Sequence, residues 1–213
     1  MKAKKVNLKF FPEGGNLVKG VPSQVAFEAT DAYGNPITLF GRIINRRKEE
    51  IGHFATIHEG RGVFTYIPTG EDADKAEVEL GGKKYRFDLP EVCSQGYVLH
   101  VDNLTSEDSI AVSVQKNTYT PSNLLGLAVI AHGKLLNSCL LNVGKNTPVS
   151  FKLDKSEWTP GVVQLVLFDT AGQIIADRLV FTRKPELLAV DVRKSKESYQ
   201  PFERVTLDFS VRD

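Results

Sequence analysis

Val25-Ala26-Phe27-Glu28-Ala29-Thr30-Asp31 alternates apolar and polar side chains until Asp31-Ala-Tyr-Gly-Asn-Pro36 interrupts the pattern. A period of two puts Val25, Phe27 and Ala29 on one face of an extended strand and their neighbours on the other. In the interruption, Gly34 or Asn35 can take a positive φ and Pro36 restarts an extended chain, which is turn chemistry. The spacing returns at the far end of the chain as Leu207-x-Phe209-x-Val211-x-Asp213. An alternating strand that ends on Asp therefore occurs twice, and the repeat implies serial domains of one kind.

The same rhythm extends outward from this strand. Val6 to Phe11 reads as a strand with Val6, Leu8 and Phe10 on one face, ended by Pro12-Glu-Gly-Gly15. Downstream, Ile37 to Ile44, His53 to Ile57 and Val63 to Ile67 follow, the last closed by Pro68, Thr69 and Gly70. Ala76 to Leu80 and Lys84 to Leu89 flank Gly81-Gly82, a two-residue hairpin signal. Residues 1–91 thus hold one sandwich's worth of short strands. Leu89-Pro-Glu-Val-Cys-Ser-Gln-Gly96 breaks the rhythm, and residues 92–183 carry a second set: Val98 to Val101, Ser109 to Val114, Leu125 to Ala131, Leu135 to Val143, Pro148 to Leu153, Val162 to Phe168 and Gln173 to Phe181. Thr182-Arg-Lys-Pro-Glu186 reads as a linker. Leu187 to Val192 and Arg204 to Val211 are too little for a core, because a two-stranded ribbon is marginal in water. Residues 184–213 are therefore expected to be the truncated start of a third domain. The expected fold class is all-β, built of tandem immunoglobulin-like antiparallel β-sandwiches.

Composition removes several function classes. At 41% hydrophobic and 25% charged residues, the chain has the make-up of a packed globular protein. With 27 Lys and Arg against 26 Asp and Glu, no bulk field draws nucleic acid or an anionic membrane. The longest basic run, Arg46-Arg47-Lys48, is cancelled at once by Glu49 and Glu50 and reads as a solvated loop. No stretch approaches the roughly 20 apolar residues that span a bilayer as a helix, and Met1 to Lys5 run into strand sequence without an apolar leader core. No direct membrane insertion is expected.

Chemistry is equally sparse. Cys93 and Cys139 leave open a disulfide or two unlinked thiols, with unlinked thiols the simpler reading. His53 and His58 are five apart, on opposite faces of a strand, while His100 and His132 stand singly without a patterned carboxylate partner. Glu71, Asp72 and Asp74 share a loop without calcium-loop spacing. No nucleophile elbow, phosphate loop or zinc-protease motif occurs, so no enzyme activity, metal or cofactor is expected. For a ligand, the sequence offers Trp158, Tyr33 and Tyr66 as rings on which a sugar could stack. Trp158 also reads as a plug for the end of the second sandwich.

The stretch Phe10-Phe-Pro-Glu-Gly-Gly15, Leu17-Val18, Gly20-Val21, Val25-Ala-Phe27 and Asp31-x-x-Gly34-x-Pro36 resembles the macroglobulin-like domains of large bacterial envelope proteins. Gly60-Arg-Gly-Val-Phe64 with Pro68, Phe87-Asp-Leu-Pro90, and Val166-Leu-Phe-Asp-Thr-Ala-Gly-Gln173 with Asp177-Arg178 are similar to further pieces of that pattern, and Tyr199-Gln-Pro201 with Val205 looks like the next domain's start. The resemblance covers the whole chain. It departs where Phe202-Glu203 follows the proline in place of Gly-Glu or Gly-Asp, and nothing matches a thioester Cys-x-x-Gln or a bait region. It implies tandem macroglobulin-like sandwiches in a non-catalytic structural or interaction segment of an envelope protein. That segment would be periplasmic or outer-membrane associated, with protein partners that include a TonB-dependent transport system. The alternative is a carbohydrate-binding module in an outer-membrane glycan uptake system.

Overall fold

The computed structural model describes residues 6–70, 74–145, 147–183 and 189–212. Every regular element among them is a β-strand, so no helix among the described residues is long and apolar enough to cross a membrane. In the first sandwich these are β1 (Asn7–Pro12), β2 (Leu17–Val18), β3 (Ser23–Thr30), β4 (Phe40–Ile44), β5 (Glu50–Ala55), β6 (Arg61–Tyr66), β7 (Lys75–Leu80) and β8 (Lys83–Asp88). The joint contributes β9 (Val92–Cys93). The second sandwich contains β10 (Tyr97–Asp102), β11 (Ser109–Lys116), β12 (Leu124–Ala131), β13 (Lys134–Asn142), β14 (Val149–Asp154), β15 (Gly161–Phe168) and β16 (Ile174–Thr182). A ribbon of β17 (Ala189–Lys194) and β18 (Leu207–Arg212) follows.

The two sandwiches share one topology. In the first, the sheets run β1-β3-β6 and β5-β4-β7-β8; in the second, β10-β11-β14 and β13-β12-β15-β16. Leaving β2 aside, the order in each is first-second-fifth strand against fourth-third-sixth-seventh. This is an immunoglobulin-like sandwich whose fourth strand pairs with the third. Alternation drives the layering: in β3, Ser23, Val25, Phe27 and Ala29 are buried while the residues between them are not. The first core centres on Phe27, Phe54 and Phe64, with Phe27 and Phe54 meeting edge to face at 4.9 Å between centroids. Such pairs add about 1 kcal/mol to the area they bury. The second core stacks Leu99, Ile110, Val112, Leu127, Leu165 and Leu167 between its sheets, and Trp158 closes it at one end. There the backbone N–H of Trp158 donates to the Lys155 carbonyl at 3.0 Å. Trp158 therefore belongs to the core.

Three loops repeat one geometry. Asp31 Oδ1 accepts the N–H groups of Tyr33 and Asn35, and Asp169 Oδ1 accepts those of Ala171 and Gln173. Asn45 Oδ1 does the same for Arg47 and Glu49. The fourth residue of each loop has a positive φ: Gly34 at 86°, Gly172 at 80° and Lys48 at 64°. The basic run Arg46-Arg47-Lys48 is thus the exposed tip of the β4–β5 hairpin. Gly81 and Gly82, both at positive φ, close β7 onto β8 as a two-residue turn.

The ribbon copies the first sandwich's opening pair. β1 and β3 align Asn7 with Thr30 and Phe10 with Phe27, and β17 and β18 align Ala189 with Arg212 and Val192 with Phe209. Both strands are thus displaced by the same 182 residues. Its apolar side chains are uncovered: Val190, Val192, Leu207, Phe209 and Val211 are all exposed. Asp213, Glu71, Asp72 and most of the expected linker lie outside the described residues.

Candidate functional site at the joint between the sandwiches

Among the described residues, a dense set of hydrogen bonds outside the two cores lies where the first sandwich meets the second. Pro12-Glu-Gly-Gly15 ends β1 in a turn closed by the Gly15 N–H donating to the Pro12 carbonyl at 3.0 Å. This turn projects Glu13 into the second sandwich. The Glu13 side chain is only 8% exposed and lies 2.7 Å from His100 Nδ1. It also accepts the backbone N–H of Val101 and the Nε–H of Arg178, each at 3.1 Å. Hydrogen bonds to a carboxylate are roughly twice as strong as neutral ones, and here three donors from two strands of one domain converge on a side chain of the other.

Backbone shape lets Glu13 get there. Gly14 has φ 74°, and a Cβ on it would stand 3.3 Å from Ala176 Cβ and 3.5 Å from Leu99 Cβ. An added Cβ would force the nearer of these neighbours to give by a few tenths of an ångström, and a branched side chain by more. On the other side of the turn, β2 pairs in parallel with β9, Leu17 with Val92 and Val18 with Cys93. Val18, Val21 and Val98 form a small apolar cluster of their own.

The β11–β12 loop braces the joint from the second sandwich. Asn117 Nδ2 donates to the Ser94 carbonyl at 2.7 Å and to the Lys19 carbonyl at 3.2 Å, linking the joint strand and the first sandwich. Thr120 Oγ1 accepts the Gly96 N–H at 2.7 Å and donates to Asn117 Oδ1 at 2.7 Å. Lys116 holds the loop in shape. Its ammonium is fully buried and donates to the Thr120 and Ser122 carbonyls and to Asn123 Oδ1, at 2.7, 2.9 and 2.6 Å. Three protons thus meet three acceptors, which is what keeps a buried ammonium tolerable.

A cleft of about 190 Å³ opens beside the joint, with Gln24 and Thr65 from one sandwich and His100, Ser113 and Gln115 from the other. Ser113 stands opposite His100 on the neighbouring strand, and its hydroxyl accepts a hydrogen bond from Ser150 at 3.1 Å, while His100 Nδ1 meets Glu13. The Glu13 contacts link the two sandwiches.

No family model matches the sequence. None of the curated proteins matches it. Among solved structures, the native conformation of E. coli alpha-2-macroglobulin matches at 11% identity and a TM-score of 0.31, over 97% of this chain and 16% of that one. The chain therefore spans about a sixth of the length of that protein. At that TM-score the match carries no weight here, and the fold rests on the strands and their pairing.

The residues singled out from sequence fall in separate places. Trp158 and Tyr66 are 5% and 6% exposed, so the stacking role set out for them is corrected: a ring packed on both faces has none to offer a sugar. Tyr66 instead donates its hydroxyl to Asp74 Oδ2 at 2.6 Å, and burial together with that carboxylate pushes its phenol well above the usual range. Tyr33 is 91% exposed, alone at the tip of the Asp31 loop. Cys93 and Cys139 are free thiols, and burial raises the pKa of Cys139. Among the described residues no three His, Cys, Asp or Glu side chains gather as a metal site. His100, single in the sequence, does have a carboxylate partner, supplied by Glu13 from 87 residues away. That distance hides the pair from any reading of local spacing.

Proposed function

We propose that this chain is a non-catalytic structural and interaction segment of a modular bacterial envelope protein, and that it works as a stiff spacer. The observation that carries the reading is the Glu13 joint. A side chain of one sandwich is held by His100, Val101 and Arg178 of the next. Flexible linkage is the default between domains, so a hydrogen-bonded, apolar and strand-paired joint fits a fixed spacing. A periplasmic or outer-membrane setting, with envelope protein partners that include a TonB-dependent transport system, follows from the resemblance of the turn and strand motifs.

The test is to measure residual dipolar couplings for both sandwiches. One alignment tensor should fit both in the parent chain, and two should be needed for Glu13→Gln combined with Arg178→Ala. Two independent tensors in the parent chain would refute the spacer. Hydrolysis of peptide or glycan substrates that a single carboxylate substitution abolishes would refute the non-catalytic reading. Glycan binding lost in Tyr33→Ala would favour the carbohydrate-binding alternative.

A further inference from the structure

Antiparallel sheets in a sandwich ordinarily turn a polar face to water. The four-stranded sheet of the first sandwich does so: Arg42, Lys75, Glu77, Glu79, Lys84, Arg86 and Asp88 all stand on its outer face, by the pairing of β4, β7 and β8. The equivalent sheet of the second sandwich has the same strand order and the opposite chemistry. Its inner face is fixed by Leu125, Leu127, Leu165 and Leu167, all fully buried. The registers then place Leu124, Leu135, Leu140, Val162, Ile174, Leu179 and Phe181 together on the outer face. These side chains are 43% to 75% exposed. The charged residue among them, Asp177, sits on the edge strand β16, where Gln164 hydrogen-bonds it at 3.1 Å.

We infer that this outer face is the contact through which two copies of the chain pair, sheet against sheet. At the exposures of these seven residues the uncovered surface is on the order of 700 Å², close to the ~800 Å² one partner contributes to a standard interface. An antiparallel sheet face is covered by another sheet at roughly 10 Å. The covering surface must be nearly uncharged, because a charge buried without its partner costs several kcal/mol. The first sandwich's outer sheet, whose seven charged side chains and their ion pairs would all have to leave water, does not qualify. The same face of a second copy does. Like faces meet about a two-fold axis, so the contact closes at a dimer.

Dimerisation and the stiffness of the joint are separable, since a spacer is stiff whether or not it pairs. Sedimentation velocity of the 213-residue chain from micromolar to millimolar concentration tests the inference. A concentration-dependent dimer is expected. Leu140→Glu with Leu179→Glu should weaken it by about a hundredfold or more, and Leu140→Gln with Leu179→Gln should weaken it in the same direction. Circular dichroism melts should match the parent, since both sites are exposed. Phe40→Glu, on the matching face of the first sandwich, should leave the dimer intact. A monomer at every concentration overturns the inference, as does a dimer indifferent to both pairs of substitutions. A dimer lost only in Phe209→Glu overturns it too, because association would then run through the ribbon.

Discussion

Lys116 shows at the residue scale how a polar side chain comes to be buried without being a site. Its position on β11 points it inward, where the pattern of Ile110, Val112 and Val114 calls for an apolar residue. The ammonium is accepted only because the β11–β12 loop wraps its carbonyls around it. The loop depends on the lysine in turn, since the Thr120 carbonyl and Asn123 Oδ1 would otherwise lose their donor, while the Ser122 carbonyl would keep the Tyr97 hydroxyl alone. Lys116→Met keeps the length and apolar stem but strands those acceptors, and should cost roughly 3 kcal/mol. Chemical denaturation at neutral pH measures this. The loss should come with faster amide exchange at Gly96, whose N–H is held by Thr120 in the same loop. A loss with unchanged exchange at Gly96 would mean that the loop keeps its shape without the lysine.

Strands and hairpins, at the element scale, were the most legible part of the sequence, because alternation and turn chemistry are local. The Asp31 loop, the Gly81-Gly82 hairpin and the strand at Val162 to Phe168 stand within a residue or two of where the pattern puts them. β2 and β9 escaped notice since two-residue strands carry no period. The apolar outer face of the second sandwich escaped as well, because Val162 to Phe168, apolar but for Gln164, reads the same whether one face is covered or two. Charge placement within a sheet is similarly a matter of register. Glu77 on β7 lies between Arg42 on β4 and Arg86 on β8, and accepts from Arg42 Nη2 at 2.6 Å and Arg86 Nε at 2.9 Å. Arg42 first, then Arg86, hold its carboxyl below the ordinary range, while its own burial works the other way. A carboxyl depressed in the folded state binds protons more readily when unfolded. It therefore stabilises the fold above its ordinary value of 4.5, and that contribution is lost as pH falls below it. Denaturation midpoints should fall more steeply between pH 5 and pH 3 in the parent chain than in Glu77→Gln, and parallel curves would show that the triad contributes nothing.

For the whole molecule, the question is whether two sandwiches on one chain behave as two bodies or one. Sequence alone favours two, since each half carries its own core and the break at Leu89 to Gly96 looks like a linker. The structure fills that break with contacts that no spacing could announce. Glu13 reaches His100 and Arg178, 87 and 165 residues away, and Asn117 reaches Lys19, 98 residues back. Each sandwich thus lends the other a partner for a buried polar group, so unfolding one leaves unpaired groups on its neighbour. Gly14 is a position where this coupling can be cut from the first sandwich, where its turn meets Ala176 and Leu99 at the edge of the second core. Gly14→Val puts a branched side chain at φ 74°, against Ala176 and Leu99, which costs roughly 1–3 kcal/mol in backbone strain alone and is most readily relieved by opening the joint. Calorimetry of the parent chain should give one cooperative transition for the two sandwiches, and Gly14→Val should split it in two with little change in the hotter one. A single transition at an unchanged temperature in the variant would mean that the Glu13 turn yields without strain, and that the sandwiches are coupled, if at all, through β9 and the Asn117 loop.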